Sequence, residues 1–286
     1  MKALHDLPAP AKINWFLHIT GRRADKLHTL QSVMQLISLQ DTLHIETTAH
    51  ASISREGAPE LGADDLCVRA ARLLQSHASV KHGCHIQLEK RIPTGAGLGG
   101  GSSDAATVLM ALNQLWSCGL TRLQLQILGL QLGADVPFFI FGESAFVQGI
   151  GEQLAPCSAP EATLVLIKPL QSVPTAAAYN HNALNRDTAA LAYREAWSLE
   201  QLSSARNDMQ AVAELIAPEL TLALELARSY GQHMTRMSGS GSAVFSVCSA
   251  GDLLPPVPHG WFTAHARTLA QHPLRDRLAT QVERTL

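Results

Sequence analysis

The sequence predicts an α+β protein of two domains, and three observations point there. Its 286 residues suffice for one large or two ordinary domains, each with a core of its own. Runs with the two-residue period of a strand and runs with the 3.6-residue period of an amphipathic helix both occur along it. The composition shifts between Pro156 and Pro160, which divides the chain into segments 1–158 and 159–286. There is no internal repeat and no low-complexity tract.

Composition narrows the class of function. Hydrophobic residues make up 46% and charged residues 16%, the balance of a soluble globular protein. A net charge of −2 leaves no electrostatic footprint for nucleic acid or an acidic membrane. No apolar run approaches the ~20 residues that span a bilayer. The opening MKALHDLPAPAKINWF has neither a signal-peptide core nor an Arg/Ser-rich transit segment, so a cytoplasmic protein is expected. Cys67, Cys84, Cys118, Cys157 and Cys248 are scattered without a CxxC pair, which suits reduced thiols rather than disulfides or zinc. His82, Cys84 and His85 lie close together, but in a strand 82 and 85 point to opposite faces, and no metal ligands are expected there.

Taken in order, residues 9–20 read as a strand with Ile13, Trp15 and Leu17 on one face and Lys12 and Asn14 on the other. A polar loop follows at 21–30, then strands at 30–39 and 41–47 and an amphipathic helix at 64–76. Residues 85–89 alternate polar and apolar, and lead into the stretch that organises the chain, KRIPTGAGLGGGSSDAATVLMALNQLW, at 90–116. Its helix carries Ala105, Val108, Leu109, Leu112, Leu115 and Trp116 on one stripe, with Ser102 or Ser103 as the expected N-cap and Asp104 in the first turn.

A strand, a glycine loop and a helix start together form an anion cradle. Gly95, Gly97, Gly99, Gly100 and Gly101 allow positive φ and remove side chains, so backbone N–H groups can converge on phosphate oxygens beside the positive end of a helix. Gly95-x-Gly97-x-x-Gly100 satisfies the dinucleotide fingerprint, but no Asp or Glu occurs between Asp104 and Asp135, and the span reads as helix, turn, helix. Gly95-x-x-x-x-Gly100 would open a P-loop, but Gly101 stands where that loop needs lysine. The nucleotide's charge must therefore be met by backbone dipoles, a metal ion and a lysine from elsewhere.

Beyond the loop, Thr121-x-x-Gln124 is a capping box for a helix ending at Gly133, and Asp135 with Pro137 reads as an N-cap. A strand and tight turn occupy 144–152, and a buried strand 163–167. Arg206-Asn207-Asp208 opens a helix at 209–216 by Asx capping; Pro218 starts another that closes at Gly231. A second glycine turn, Ser238-Gly239-Ser240-Gly241-Ser242, enters a strand. Pro255, Pro256 and Pro258 exclude a helix after Cys248.

The run Pro93-Thr94-Gly95-Ala96-Gly97-Leu98-Gly99-Gly100-Gly101-Ser102-Ser103 resembles the ATP loop of the GHMP small-molecule kinases. Its GLGGGSS core is especially similar to the branch that works on a cytidyl diphosphate sugar alcohol in the non-mevalonate isoprenoid route. Residues 11–21 with Arg23 resemble that branch's A-K-I-N-x-x-L-x-I-x-G-x-R, in which the lysine and asparagine, here Lys12 and Asn14, face the substrate. Its R-x-D-G-Y-H-x-L is kept at His28 and Leu30, while Lys26 and Leu27 replace glycine and a tyrosine that stacks on cytosine. His28 resembles the family's cytosine-contacting histidine, and Leu27 can cover a base face only by apolar contact. Asp65 stands where asparagine is common. Residues 133–139 match G-A-D-V-P-F-F throughout, which makes Asp135 the catalytic base by resemblance. Val173-Pro174-Thr175 and Tyr179 resemble a substrate-contacting segment, with Tyr179 as the stacking ring or, alternatively, a helix aromatic in the core. The turn at 238–242 resembles the third motif, with Ser240 in place of threonine.

The resemblance implies a two-domain GHMP kinase fold: a ribosomal-protein-S5-like N-terminal domain on the ATP side and a ferredoxin-like C-terminal α/β sandwich on the substrate side, trimmed near 253–258. It implies ATP and Mg²⁺, a small-molecule substrate, and a monomer or weak homodimer. The chemistry is phosphoryl transfer to an alcohol, mainly positioning and charge stabilisation, with Ser102 or Ser103 near the metal. A carboxylate at its reference value lies about 12 pKa units below an alcohol-like ~15.7, roughly 16 kcal/mol, so proton uptake must come late, as the bond to phosphorus forms. A fixed charge such as Lys12 at ~4 Å is worth about 4 kcal/mol at an effective dielectric of ~20. A GHMP kinase for homoserine or a mevalonate-type alcohol, and a non-catalytic binding protein on the same fold, are the alternatives.

Overall fold

The computed structural model describes residues 2–230 and 234–275. Its frame is an antiparallel pair of long strands, β1 (Ala3–Arg22) and β2 (His28–Thr48). The sequence suggested separate strands at 30–39 and 41–47; they are one, because a register shift between Pro10 and Ala11 absorbs the irregular residues without breaking the ladder. β1 takes one edge of β2. Three strands share the other: β4 (Gly83–Glu89) on 42–48, β10 (Phe262–Leu269) on 36–37, and β5 (Ala145–Gln148) on 32–34.

β3 (Ile53–Glu56) lies parallel to β4, and β6 (Gln153–Pro156) pairs with β5. The second half adds β7 (Thr163–Lys168), β8 (Thr235–Met237) and β9 (Val244–Cys248), giving the order β3-β4-β2-β10-β7-β9-β8. β10 joins the halves: residues 262–267 pair with β7, and only Thr268 and Leu269 pair with β2.

Helices α1 (Leu66–His77), α2 (Gly100–Leu115), α3 (Arg122–Leu130) and α4 (Val136–Phe141) close one apolar cluster over the N-terminal strands, with Leu43, Ile45, Leu109 and Phe138 at its centre. A second cluster joins Ile13 and Trp15 of β1 to Leu164 and Phe245 of the other half, Trp15 and Phe245 meeting edge to face at 5.7 Å. A third lies under α5 (Thr175–Asn180), α7 (Gln210–Ile216) and α8 (Glu219–Tyr230), and α6 (Leu199–Ser204) flanks the second.

Two local expectations are corrected. α2 is not capped by Ser102 or Ser103: Gly99, with φ of 74°, stands at the N-cap, and the helix opens at Gly100, which moves Asp104 past the first turn. Glycine in the left-handed region lets the loop enter the helix directly. α3 ends at Leu130, with 131–133 forming a final turn in which Gly133 N–H still reaches the Gly129 carbonyl. The Thr121–Gln124 capping box forms reciprocally, and Asp65 caps α1 through the Cys67 and Val68 amides. Asn207 makes the Asx turn, accepting from Met209 N–H at 3.0 Å, before a helix that begins at Gln210. Gly231 lies outside the described residues. Residues 252–258 run without helix or strand, as their prolines require.

Candidate active site

Lys12 sits in the middle of β1, where both faces of the strand are covered. Its side chain is 4% exposed, and a buried ammonium demands partners. It finds two: Nζ donates to Asn14 Oδ1 at 2.5 Å and stands 3.4 Å from Asp135 Oδ2. Asn14 is held in turn, its Nδ2 donating to Ser32 Oγ at 2.8 Å, which donates to the Phe16 carbonyl at 2.6 Å. Residues two apart on one strand share a face, so the lysine and asparagine meet by spacing alone.

Asp135 occupies the N-cap position of α4, but its side chain makes no cap hydrogen bond. The sequence expected capping to fix its rotamer; instead, the carboxylate turns to Lys12. At 37% exposure it keeps an open side toward the cavity.

Across from this pair, Gly95, Gly97 and Gly99 take φ of 61°, 72° and 74°. At Gly97 a Cβ would sit 2.2 Å from the Ser238 carbonyl oxygen, so glycine is required by space as well as by φ. The loop's carbonyls are consumed by the protein. Leu98 accepts from Lys12 N–H, Ala96 from Ala243 N–H, Gly95 from Ser242 N–H and Gly97 from Ser238 Oγ. A backbone with its acceptors tied down no longer repels a phosphate there. Asn207 fixes the opposing turn by donating to the carbonyls of Met237 and Gly239 at 2.9 and 2.8 Å.

A cavity of about 750 Å³ lies between these parts. Lys12, Asn14, His28, Asp135, Thr175 and Tyr179 line it together with Pro93, Thr94, Gly95, Ala96, Gly97, Leu98, Gly99, Gly100, Gly101 and Ser102. Ser103 is apart from them: it is fully buried in α2, its hydroxyl without a hydrogen-bond partner. Thr175 Oγ1 meets Ser240 Oγ at 2.9 Å, which joins α5 to the second glycine turn.

At the far end, the rings of His28 and Tyr179 stack with centroids 5.1 Å apart at 24°. Burial pushes the Tyr179 phenol up to about 12, and the Asp135 charge adds to this. His28 is held below the usual histidine range, first by burial and then by the positive Arg186 and Arg22. Leu27 lies on the same wall, 47% exposed.

Sequence reasoning missed several residues here. Lys90 lines the cavity beneath the loop, its ammonium shared between Asp41 and Asp104 Oδ2, the latter at 3.0 Å. Burial opposes its charge, but the two carboxylates outweigh that and raise its pKa. Burial drives Asp104 up to about 8, with Lys90 opposing and Asp41 reinforcing. Asp41 also accepts from the Arg91 and Ile92 amides at 2.6 and 2.8 Å, clamping the strand exit. A lysine directly ahead of the glycine loop was the available signal; its partners, 49 and 14 residues away, gave none.

The description "GHMP kinases N terminal domain" matches residues 65–143, and "GHMP kinases C terminal" matches 190–254. A 4-diphosphocytidyl-2-C-methyl-D-erythritol kinase of Delftia acidovorans is 46% identical over 284 residues, covering 97% of this chain and 98% of that protein. The protein of the same name from Variovorax paradoxus is 47% identical, covering 96% and 98%. A crystal structure of 4-(cytidine 5'-diphospho)-2C-methyl-D-erythritol kinase superposes with a TM-score of 0.72 at 36% identity, covering 87% of this chain and 91% of that one. A homoserine kinase from Cytophaga hutchinsonii (TM-score 0.68, 12% identity, covering 95% and 96%) shares the fold alone. Matched along nearly its whole length, the chain belongs to the 4-diphosphocytidyl-2-C-methyl-D-erythritol kinase family of the GHMP kinases.

Proposed function

We infer that the protein phosphorylates the 2-hydroxyl of 4-diphosphocytidyl-2-C-methyl-D-erythritol at the expense of ATP, in the non-mevalonate route to isoprenoid precursors. One observation carries the reading: the Lys12–Asp135 pair, 3.4 Å apart, stands on the same cavity as the glycine loop. The loop takes the phosphate tail of ATP. The sugar alcohol lies toward Asn14 and Thr175, and its cytosine toward His28, Tyr179 and Leu27. The domain on the ATP side is 1–158 and that on the substrate side 159–286. The chain works in the cytoplasm as a monomer or weak homodimer.

In the reaction, the alcohol oxygen forms a bond to the γ-phosphorus as the bond from phosphorus to the β,γ-bridging oxygen breaks, leaving ADP. The alcohol proton passes to Asp135 late in this motion. Lys12 keeps that carboxylate in place and offers positive charge where the transferring group is most negative.

Among the described residues there is no group of three His, Cys, Asp or Glu side chains that could cage a metal. The cavity wall supplies one carboxylate, Asp135, and hydroxyls such as that of Ser102. This donor set fits Mg²⁺, which keeps several waters and binds through one or two carboxylates plus substrate phosphates. Ser102 is the residue that would hold its shell beside the ATP phosphates, Asp135 being kept for the proton, and when bound the ion would neutralise phosphate charge.

A coupled assay of ADP release tests the reading. ADP release with the cytidyl diphosphate substrate, and none with homoserine or mevalonate, is the expected result. Release with another alcohol would favour the reading that the exposed Leu27 supports, a GHMP kinase with a different acceptor. ATP binding without release from any alcohol would make the chain a binding protein.

A further inference from the structure

Arg186 does not line the cavity, yet its guanidinium reaches both members of the ring pair that bounds the base end. Nε–H donates to His28 Nε2 at 3.1 Å. Nη2 donates to the carbonyls of Tyr179 and His181, each at 2.9 Å, and Nη1 to that of Leu184 at 3.0 Å. Four hydrogen bonds thus fix one side chain between the histidine and the turn that carries the tyrosine.

The direction of the first bond follows from chemistry. A guanidinium has donors only and keeps its charge throughout the working pH range. His28 Nε2 must therefore accept, with a bare lone pair, and a neutral imidazole accepting there carries its proton on Nδ1. An imidazolium, or the Nε2–H tautomer, would set one N–H against another. The groups facing the ring agree. Arg186 and Arg22 are both positive, and Tyr179 covers its face.

We propose that Arg186 is the positioning residue of the base site, fixing His28 as a neutral Nδ1–H donor and holding the Tyr179 turn against it. This rests on reading residues 28 and 179 as the base end of the cavity, where an Nδ1–H on His28 meets a hydrogen-bond acceptor on the base, such as the N3 lone pair or O2 of cytosine. Uracil, whose N3 carries hydrogen, presents a donor in one of those places. Nothing in the local sequence marked Arg186, which is 158 residues from His28.

The test is nitrogen-detected NMR of the full chain labelled with ¹⁵N-histidine, the His28 signals assigned by their loss in His28→Asn. The expected spectrum has Nδ1 protonated and Nε2 bare at neutral pH, with a titration midpoint below that of a free histidine. In Arg186→Met, the Nε2–H form should grow in and the midpoint should rise. Kinetically, Arg186→Met should raise KM for the cytidyl substrate about tenfold, the loss of one charge-assisted hydrogen bond, with KM for ATP and kcat near wild type. Arg186→Lys should not restore KM, since an ammonium lacks the fork. A wild-type His28 carrying hydrogen on Nε2, or a spectrum unchanged in Arg186→Met, overturns the proposal. So does an equal loss in kcat and both KM values with a lowered melting temperature, the mark of a merely structural role. If Arg186→Met does not fold, the wild-type spectrum still decides. The spectrum needs no substrate, so an expected spectrum alongside absent ADP release would refute the functional reading and leave the Arg186–His28 relation standing.

Discussion

Asp135 and Lys12 meet at 3.4 Å although they are more than 120 residues apart, and the two ends of the pair differ in their access to water. The lysine is 4% exposed and the aspartate 37%. The ammonium is thus a fixture of the fold, while the carboxylate keeps one side open to the cavity. Replacing each should therefore have different consequences.

Asp135→Asn keeps shape and removes the proton acceptor. Turnover should be lost while ATP affinity stays nearly intact, since the glycine loop is untouched. Single-turnover ADP formation together with ATP titration checks this, and turnover close to wild type would sink the assignment. Lys12→Met should lower kcat by roughly 10²–10³, the scale of one lost electrostatic stabiliser, and should disturb Asn14, whose Oδ1 loses its partner.

Gly97→Ala tests the cradle. The new methyl would stand 2.2 Å from the Ser238 carbonyl at a φ of 72°, so backbone must move. Strain at such a position costs on the order of 1–3 kcal/mol. A lowered melting temperature and a raised KM for ATP are expected; Gly119→Ala, where φ is also positive, at 70°, but no atom lies within 4 Å, carries the φ strain alone and should lower the melting temperature less and leave KM for ATP unchanged. Equal effects at the two positions would show that φ alone, and not the close approach, sets the requirement.

Leu27→Tyr asks what the exposed leucine costs. Stacking of an aromatic on a base is worth about 1–3 kcal/mol, so KM for the cytidyl substrate should fall about five- to 150-fold with kcat unchanged. Tyr179→Ala should move KM the other way. If neither variant alters KM, the base does not lie between these residues.

Asp104 makes stability depend on pH. Its carboxyl titrates at about 8 in the folded chain and near ~3.9 when unfolded. Folding therefore takes up a proton between those values, and stability falls as pH rises from ~4 toward about 8, then levels off. Asp104→Asn removes that titration. Thermal melts across this window should show a steeper decline for wild type than for the variant, and parallel curves would refute the assignment.

Much of this was legible in the chain. The glycine run announces an anion cradle locally, while Lys12, Asn14 and the G-A-D-V-P-F-F segment point to chemistry through their resemblance to the GHMP kinases, and the structure brings them to one cavity. Residues acting through partners far along the chain were not legible. Arg186, Asn207 and the Asp41–Lys90–Asp104 cluster form hydrogen bonds spanning 14 to 158 residues, and nothing in their neighbours' periodicity encodes the pairing. Capping failed as a guide at two places for a shared reason. At Gly99 and at Asp135, a helix start lines the cavity, and tertiary contacts override the local rule.

The two glycine turns, one from each half, share backbone hydrogen bonds: Ala243 to Ala96 and Ser242 to Gly95. A fragment ending near residue 158 would therefore retain the whole glycine loop and lose the turn against which that loop is moulded. Under the proposed function, affinity for nucleotide is in this sense a property of the entire polypeptide. Exchanging residues 159–286 for those of another kinase would require the incoming piece to bring a matching serine–glycine bend as well as a partner for β2 and for Trp15.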